Sequence, residues 1–341
     1  MTSWFYRFAG VFVSVVFVHL AVRNVNLSEA LQVLKTVRPG FLSAAVIIYL
    51  AAYPVRALRW RLILKTQNML PWTSTLVPVF VGYMANNLLP ARAGEIYRAH
   101  LLSRRTQISR SGAMGSIVIE RTFDGLMLMV LMLLLLVSFP KTHFLGGMAL
   151  STGLVFVALT AGIAFYSFTT EATHRVIDRI LRILPRRFEW FINCRLKSFL
   201  QGIRGISTVE GGVKATMYTL LVWTLEISAV ALVLISFGVQ LPLTGYLLVL
   251  TLASLSTALP SGPAYVGPYQ YAFILALGFF AISQEMALAI SIAAQVSLLG
   301  SVTIIGVILL LREQLRTGPL PSRKKLETSL EKDTRTNVPP S

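Results

Sequence analysis

Cysteine is nearly absent: Cys194 is the only one in 341 residues, so no intramolecular disulfide can form and no cysteine metal cluster exists. Histidine is sparse as well. His19, His100, His143 and His174 are scattered without ligand spacing, which argues against a structural zinc site. Charged residues make up only 13% of the chain against 55% hydrophobic, and mean hydropathy is +0.69. A soluble domain of this length needs far more charged surface to stay dispersed. Acidic residues are the scarcer charge, 14 against 31 basic, for a net charge of +17. Taken alone, that balance suggests nucleic acid or an anionic surface. Here the basic residues sit between hydrophobic blocks. Retention of cytoplasmic loops and contact with anionic lipid headgroups account for them, and no nucleic acid is expected.

What the chain has in abundance is long apolar blocks, without the period-2 or period-3.6 stripes of soluble elements. A helix crossing the hydrocarbon core needs roughly 20 mostly apolar residues. The blocks predict spans over about 4–22, 41–63, 74–90, 115–138, 145–168, 213–237, 243–260 and 286–311. The expected fold is therefore all-α: a polytopic integral membrane helical bundle of about eight spans, with two re-entrant or broken segments, 91–114 and 261–285. After Arg7 and the first block no small-residue cleavage site follows, so that block reads as a retained signal anchor. Residues 1–311 form one transmembrane domain, with halves at 1–168 and 213–311 joined by 169–212. Residues 312–341 are expected to be a disordered cytoplasmic tail.

Within the joining segment, 171–205 interleaves Arg175, Arg179, Arg182, Arg186, Arg187, Arg195, Lys197 and Arg204 with apolar side chains such as Trp190 and Phe191. That pattern predicts basic amphipathic helices in the headgroup plane, broken at Pro185 and bound to anionic lipid headgroups. A solvated linker is the alternative. Basic residues near span ends set orientation, placing 171–205 and the tail in the cytoplasm of a plasma-membrane protein. Plain spans then give the wrong parity twice. Arg56, Arg59, Arg61 and Lys65 should share a side with Arg98, Arg104, Arg105 and Arg110, yet one span separates them; the same conflict arises between 171–205 and the tail. Both conflicts vanish if 91–114 and 261–285 themselves enter the membrane.

Those two places also resemble each other, which points to an internal two-fold repeat. The first reads Asn86-Asn87-Leu88-Leu89-Pro90-Ala91-Arg92-Ala93-Gly94-Glu95, the second Ala258-Leu259-Pro260-Ser261-Gly262-Pro263-Ala264-Tyr265-Val266-Gly267-Pro268-Tyr269-Gln270. Broken backbone is tolerated at membrane depth only where it faces protein or a wet cavity. Paired Gly/Pro-interrupted segments in two halves point to a transporter site; kinks that only aid packing are the plainer alternative. Charge within apolar runs is the second signal. Glu120, Arg121 and Asp124 lie within one such run and Glu226 within another. Each needs a partner or water. Arg92 and Arg121 are the natural partners for Glu95, Glu120, Asp124 and Glu226, either as structural ion pairs or as a phosphate-holding site whose carboxylates orient the arginines or exchange protons.

The Asn-Asn-Leu-Leu-Pro-Ala-Arg-Ala-Gly-Glu stretch, Ile-Glu-Arg-Thr-Phe-Asp at 119–124, and Leu-Pro-Ser-Gly-Pro-Ala-Tyr-Val-Gly together resemble the membrane domain of lysylphosphatidylglycerol synthases, also found alone as flippase-like proteins. The resemblance covers about residues 10–311. It implies that Asn87, Pro90, Arg92, Gly94, Glu95, Glu120, Arg121 and Asp124 occupy the family's motif positions, with Gly262 and Gly267 in its second glycine-rich segment. Many members carry a glutamate where this chain has Gln270. No aminoacyl-transferase domain is expected after Arg312, so lysyl transfer is not carried over.

Three functions remain open on these grounds. The first is a flippase-like transporter of an anionic phospholipid or polyprenyl-linked lipid. Its headgroup cavity would be lined by Asn87, Arg92, Gly94, Glu95, Glu120, Arg121, Asp124, Glu226, Gly262, Gly267 and Gln270. The second is a non-catalytic partner of a lipid-modifying enzyme. The third is a membrane-embedded transferase with Glu95 or Asp124 as general base. No nucleotide-binding loop, metal cluster or nucleophile triad is visible, so no cofactor and no enzymatic activity are expected.

Overall fold

The computed structural model describes residues 2–23, 25–64, 70–89, 93–139, 208–259 and 261–317, with isolated positions at 146, 147, 154 and 158. Among these residues every regular element is helical. An apolar α1 (Thr2–Val22) leads into a short α2 (Leu27–Leu34), which Asn26 caps by accepting from the Ser28 and Glu29 N–H groups at 3.1 and 3.4 Å. α3 (Pro39–Leu64) starts on a proline, whose fixed φ suits a first helical turn. α4 (Thr73–Leu88), α5 (Gly94–Arg105) and α6 (Arg110–Ser138) complete the first half, and Ser109 caps α6 through the Gly112 N–H at 3.1 Å. The second half holds α7 (Val209–Ser236), α8 (Leu243–Ser256), a 3-10 turn at Pro263–Tyr265, α9 (Pro268–Gly278) and α10 (Gln284–Ala294). A π turn over Gln295–Leu299 carries α10 without a break into α11 (Gly300–Thr317).

Four of these helices are long and apolar enough to cross a membrane: Pro39–Leu64, Arg110–Ser138, Val209–Ser236 and the continuous Gln284–Leu315. The expected spans 74–90 and 243–260 turn out shorter, at 16 and 14 residues. Each ends at its break and folds back on a helix of 12 or 11 residues, giving the hairpins α4–α5 and α8–α9. The span expected at 115–138 starts earlier, at Arg110. At the other end, helix continues through Arg312 to Thr317, where a disordered tail is expected from 312 onward. Glu313 explains the extension: it is buried and takes both Nε and Nη2 of Arg105 at the end of α5, the first contact at 2.9 Å. Apart from those isolated positions the expected span 145–168, together with the basic segment 171–205, the rest of the expected tail, 318–341, and Pro90, Arg92 and Pro260, lies outside the described residues.

The repeat is visible as an order of elements: long helix, shorter helix, break, short helix, long helix. α3 and α4 begin at Pro39 and Thr73, and α7 and α8 begin at Val209 and Leu243. Both offsets are 170 residues, the same separation as Arg56 from Glu226. The two equivalent long helices, α3 and α7, pack against each other more extensively than any other pair. α4 lies between α5 and α11, so the halves interlock. Lipid tails supply no hydrophobic drive between helices, and close packing through small residues takes its place. Ala52, Ala57, Ala215 and Ala229 are buried along α3 and α7. At Gly306 of α11 an added Cβ would stand 2.8 Å from the Phe80 carbonyl oxygen of α4.

Candidate functional site

Five helices each turn a polar face toward one place. Arg56 and Arg59 are three residues apart on α3, Glu95 and Arg98 three apart on α5, and Glu120 and Asp124 four apart on α6, so each pair shares a helix face. Thr219 and Glu226 come from α7, and Tyr83 from α4. Arg59 is fully buried: its Nη1 donates to Asp124 Oδ1 at 2.7 Å and Thr219 Oγ1 at 2.9 Å, and its Nη2 to Asp124 Oδ2 at 3.2 Å. The same Nη2 lies 3.3 Å from Glu120 Oε1. Arg98 grips Glu120 as a fork, 3.0 Å to Oε1 and 2.5 Å to Oε2, while its guanidinium lies 3.8 Å over the Trp60 ring. Arg56 pairs with Glu226 and donates to Tyr83 Oη at 2.6 Å. Arg121 is the outermost member. Its Nη2 donates to Glu120 Oε1 and Tyr83 Oη at 3.1 Å each, Nη1 stands 3.6 Å from Asp124, and Nε stands 3.7 Å from Glu95.

The electrostatics divide into a core and a lip. Among the described residues four guanidinium groups (Arg56, Arg59, Arg98, Arg121) face four carboxylates (Glu95, Glu120, Asp124, Glu226), so their charges cancel. Burying charges is tolerable only when they are paired and hydrogen-bonded. Glu120 and Asp124 meet that condition without Arg121, since Arg98 and Arg59 already hold them as forks. Arg121 is therefore surplus to the pairing of Glu120 and Asp124, and its side chain is 31% exposed, with Glu95 beside it at 26%. The Arg121 Nε is without a hydrogen-bond partner.

The other expected site residues go elsewhere. Asn87 donates to Thr303 Oγ1 at 3.0 Å and the Leu299 carbonyl at 3.3 Å, tying α4 to the last helix. Gly94 is a packing glycine: an added Cβ would meet the Gly82 carbonyl oxygen at 1.9 Å, and its own N–H donates to Asn86 Oδ1 at 2.9 Å. Gly262, Gly267 and Gln270 build the second break. The Gly262 N–H donates to Ser14 Oγ of α1 at 2.8 Å, and Gly267 adopts φ of 98° with α1 backbone against its α-carbon. Gln270 accepts from the Gly267 N–H at 2.8 Å and donates to Gln295 at the π turn, whose Nε2 reaches the Ala264 carbonyl. That chain of amides is a scaffold for the break, separate in its bonding from the ionic cluster. Of the expected partners for the carboxylates, Arg121 serves three, but Glu226 takes Arg56.

The family model for the lysylphosphatidylglycerol synthase TM region matches residues 7–306. The chain belongs to that family. Among curated relatives of this family member, glycosyltransferase AglD of Haloferax volcanii is 26% identical over 338 residues, covering 87% of this chain and 53% of its own length. Two UPF0104 membrane proteins of Methanothermobacter thermautotrophicus are 23% and 26% identical, covering 82% and 78% of this chain and 87% and 81% of their own. This lysylphosphatidylglycerol synthase-type chain therefore spans about half of AglD but most of the UPF0104 proteins. No solved structure matches.

For this member of the family, sequence reading missed Arg56, Arg59, Arg98, Tyr83 and Thr219. The three arginines looked like flanking charges that set orientation, because each lies near the end of an apolar run. The repeat offset carried the missed signal: Arg56 and Glu226 occupy equivalent positions of the two halves.

Proposed function

We propose that this multi-pass membrane protein moves a phosphate-bearing lipid, an anionic phospholipid or a lipid-linked headgroup, between leaflets, with the ionic cluster as its headgroup site. The observation that carries this reading is Arg121. It is charged, partly exposed, beside the first helix break, and surplus to the pairing of Glu120 and Asp124. A guanidinium fork matches a phosphate better than a point charge does. The repeat supports a rocking of one half against the other. On this reading the protein sits in the plasma membrane with segment 169–212 on its cytoplasmic face against anionic headgroups, Arg92 assists Arg121, and the protein acts without catalysing a reaction.

The test is leaflet-resolved movement of labelled phosphatidylglycerol and phosphatidylcholine in proteoliposomes. Wild type is expected to move phosphatidylglycerol, and Arg121→Ala to lose that movement while still inserting and folding. Movement unaffected by Arg121→Ala, or none above protein-free vesicles, sinks the reading.

A transferase acting on a lipid-linked substrate is the second reading, favoured by the name of AglD, of which this chain spans 53%. Asp124 is a poor base on this geometry, being gripped by Arg59; Glu95 is the freer carboxylate. Turnover of polyprenyl-phosphate sugars by the purified protein would favour it.

A further inference from the structure

We propose that Glu95 is a proton-binding site coupled to the headgroup: when Arg121 takes the phosphate, Glu95 takes a proton. This rests on the reading of Arg121 given above.

The argument is one of charge matching. Remove Arg121 and Glu95 from the cluster, and three guanidinium groups still face three carboxylates in close contact. The outer pair is looser, with Arg121 Nε 3.7 Å from Glu95 Oε1 and no hydrogen bond from that nitrogen. It is the part of the cluster that can open without stranding a buried charge. Phosphate oxygens accept the Arg121 N–H groups, the Arg121–Glu95 pair breaks, and Glu95 is left beside the new anion. A partly buried carboxylate without its cation, next to a phosphate, favours the neutral form. An O–H bond then forms on Glu95 with a proton from water on that side, so one negative charge and one positive charge have entered and the site keeps its net charge.

A proton suits this place better than a metal cation. Facing Glu95 is Arg121 of α6, with Glu120 and Asp124 of α6 and Tyr83 of α4 behind it. Arg98, on the same helix as Glu95, turns to Glu120. The neighbouring carboxylates are already engaged by arginines, and no group of three acidic or histidine side chains suited to a metal occurs among the described residues. A proton needs one oxygen and no coordination shell.

The test has two arms. In detergent, the purified protein is titrated with dihexanoyl phosphatidylglycerol in weak buffer containing a pH indicator. Wild type is expected to take up a proton for each lipid bound, and Glu95→Gln to take up none per lipid bound, whatever its affinity. In proteoliposomes, an imposed pH gradient is expected to drive labelled phosphatidylglycerol toward one leaflet in wild type, and to drive none in Glu95→Gln. Thermal unfolding in detergent checks that Glu95→Gln keeps its fold. Lipid binding and movement without proton uptake, or uptake that survives in Glu95→Gln, overturns the proton site and leaves the headgroup reading standing. Neither binding nor movement by wild type overturns both.

Discussion

Arg59 reaches two carboxylates and a threonine hydroxyl from a position with no solvent exposure. Removing it leaves Asp124 without its fork and Glu120 with one fewer cation, in a place where uncompensated charge costs about 3–5 kcal/mol. Arg59→Ala is thus expected to lower the thermal unfolding temperature sharply, followed by tryptophan fluorescence in detergent. Arg59→Lys should rescue little of it, since a compact ammonium lacks the planar fork whose two nitrogens are spread over both carboxylate oxygens and the hydroxyl. Arg121→Ala, by contrast, should cost under about 1 kcal/mol, because Glu120 and Asp124 keep other cations and both Arg121 and Glu95 are partly exposed. Tyr83 sits between two guanidinium groups and accepts from both. Tyr83→Phe is expected to cost about 2 kcal/mol in the same unfolding experiment, the usual loss for a hydrogen bond to a charged group. Glu120, Arg121, Asp124 and Glu226 were legible in the sequence because charge inside an apolar run has few explanations. Arg56 and Arg98 were not, because an arginine near a span end has a common one: it holds a loop in the cytoplasm.

Among the helices, the two breaks were readable from Pro and Gly, but their consequence was not. Full spans were expected before each break, whereas α4 and α8 are short arms of hairpins. Hydropathy registers apolar length, and a short apolar helix followed by an apolar break reads as one span. Nor does periodicity reveal which glycine is a packing surface. Gly94 joins the arms of the first hairpin, with the Gly82 carbonyl and Asn86 where a Cβ would go. Gly94→Ala is expected to cost about 1–3 kcal/mol through overpacking. Gly278, with nothing within 4 Å of its virtual Cβ, is the control, and Gly278→Ala should leave the unfolding temperature unchanged or slightly higher. A large loss at Gly278 or none at Gly94 would contradict the hairpin packing. The end of α11 was misplaced for a related reason: Glu313 reads as the start of a polar tail until Arg105, 208 residues earlier, is found beside it.

Across the whole molecule, the two-fold repeat was legible, but not that its charge is confined almost wholly to one half. Glu226 is the single carboxylate that the second half contributes to the cluster, and it meets Arg56 at the equivalent position of the first. If that pair ties the halves together, Arg56→Met and Glu226→Leu should each be strongly destabilising, by about 3–5 kcal/mol, and the double substitution should recover most of the loss. A double-mutant cycle in detergent measures this, and strictly additive losses would show that the pair is no tie. Neutrality of the cluster has one more consequence. A charge carried across the membrane potential gains or loses about 2.3 kcal/mol per 100 mV. Four guanidinium groups and four carboxylates moving together cancel that work. On the proposed transport reading, a rearrangement that moves these groups as a unit should carry no gating current and ignore the voltage, so that whatever energises the cycle would have to arrive with the molecules that bind.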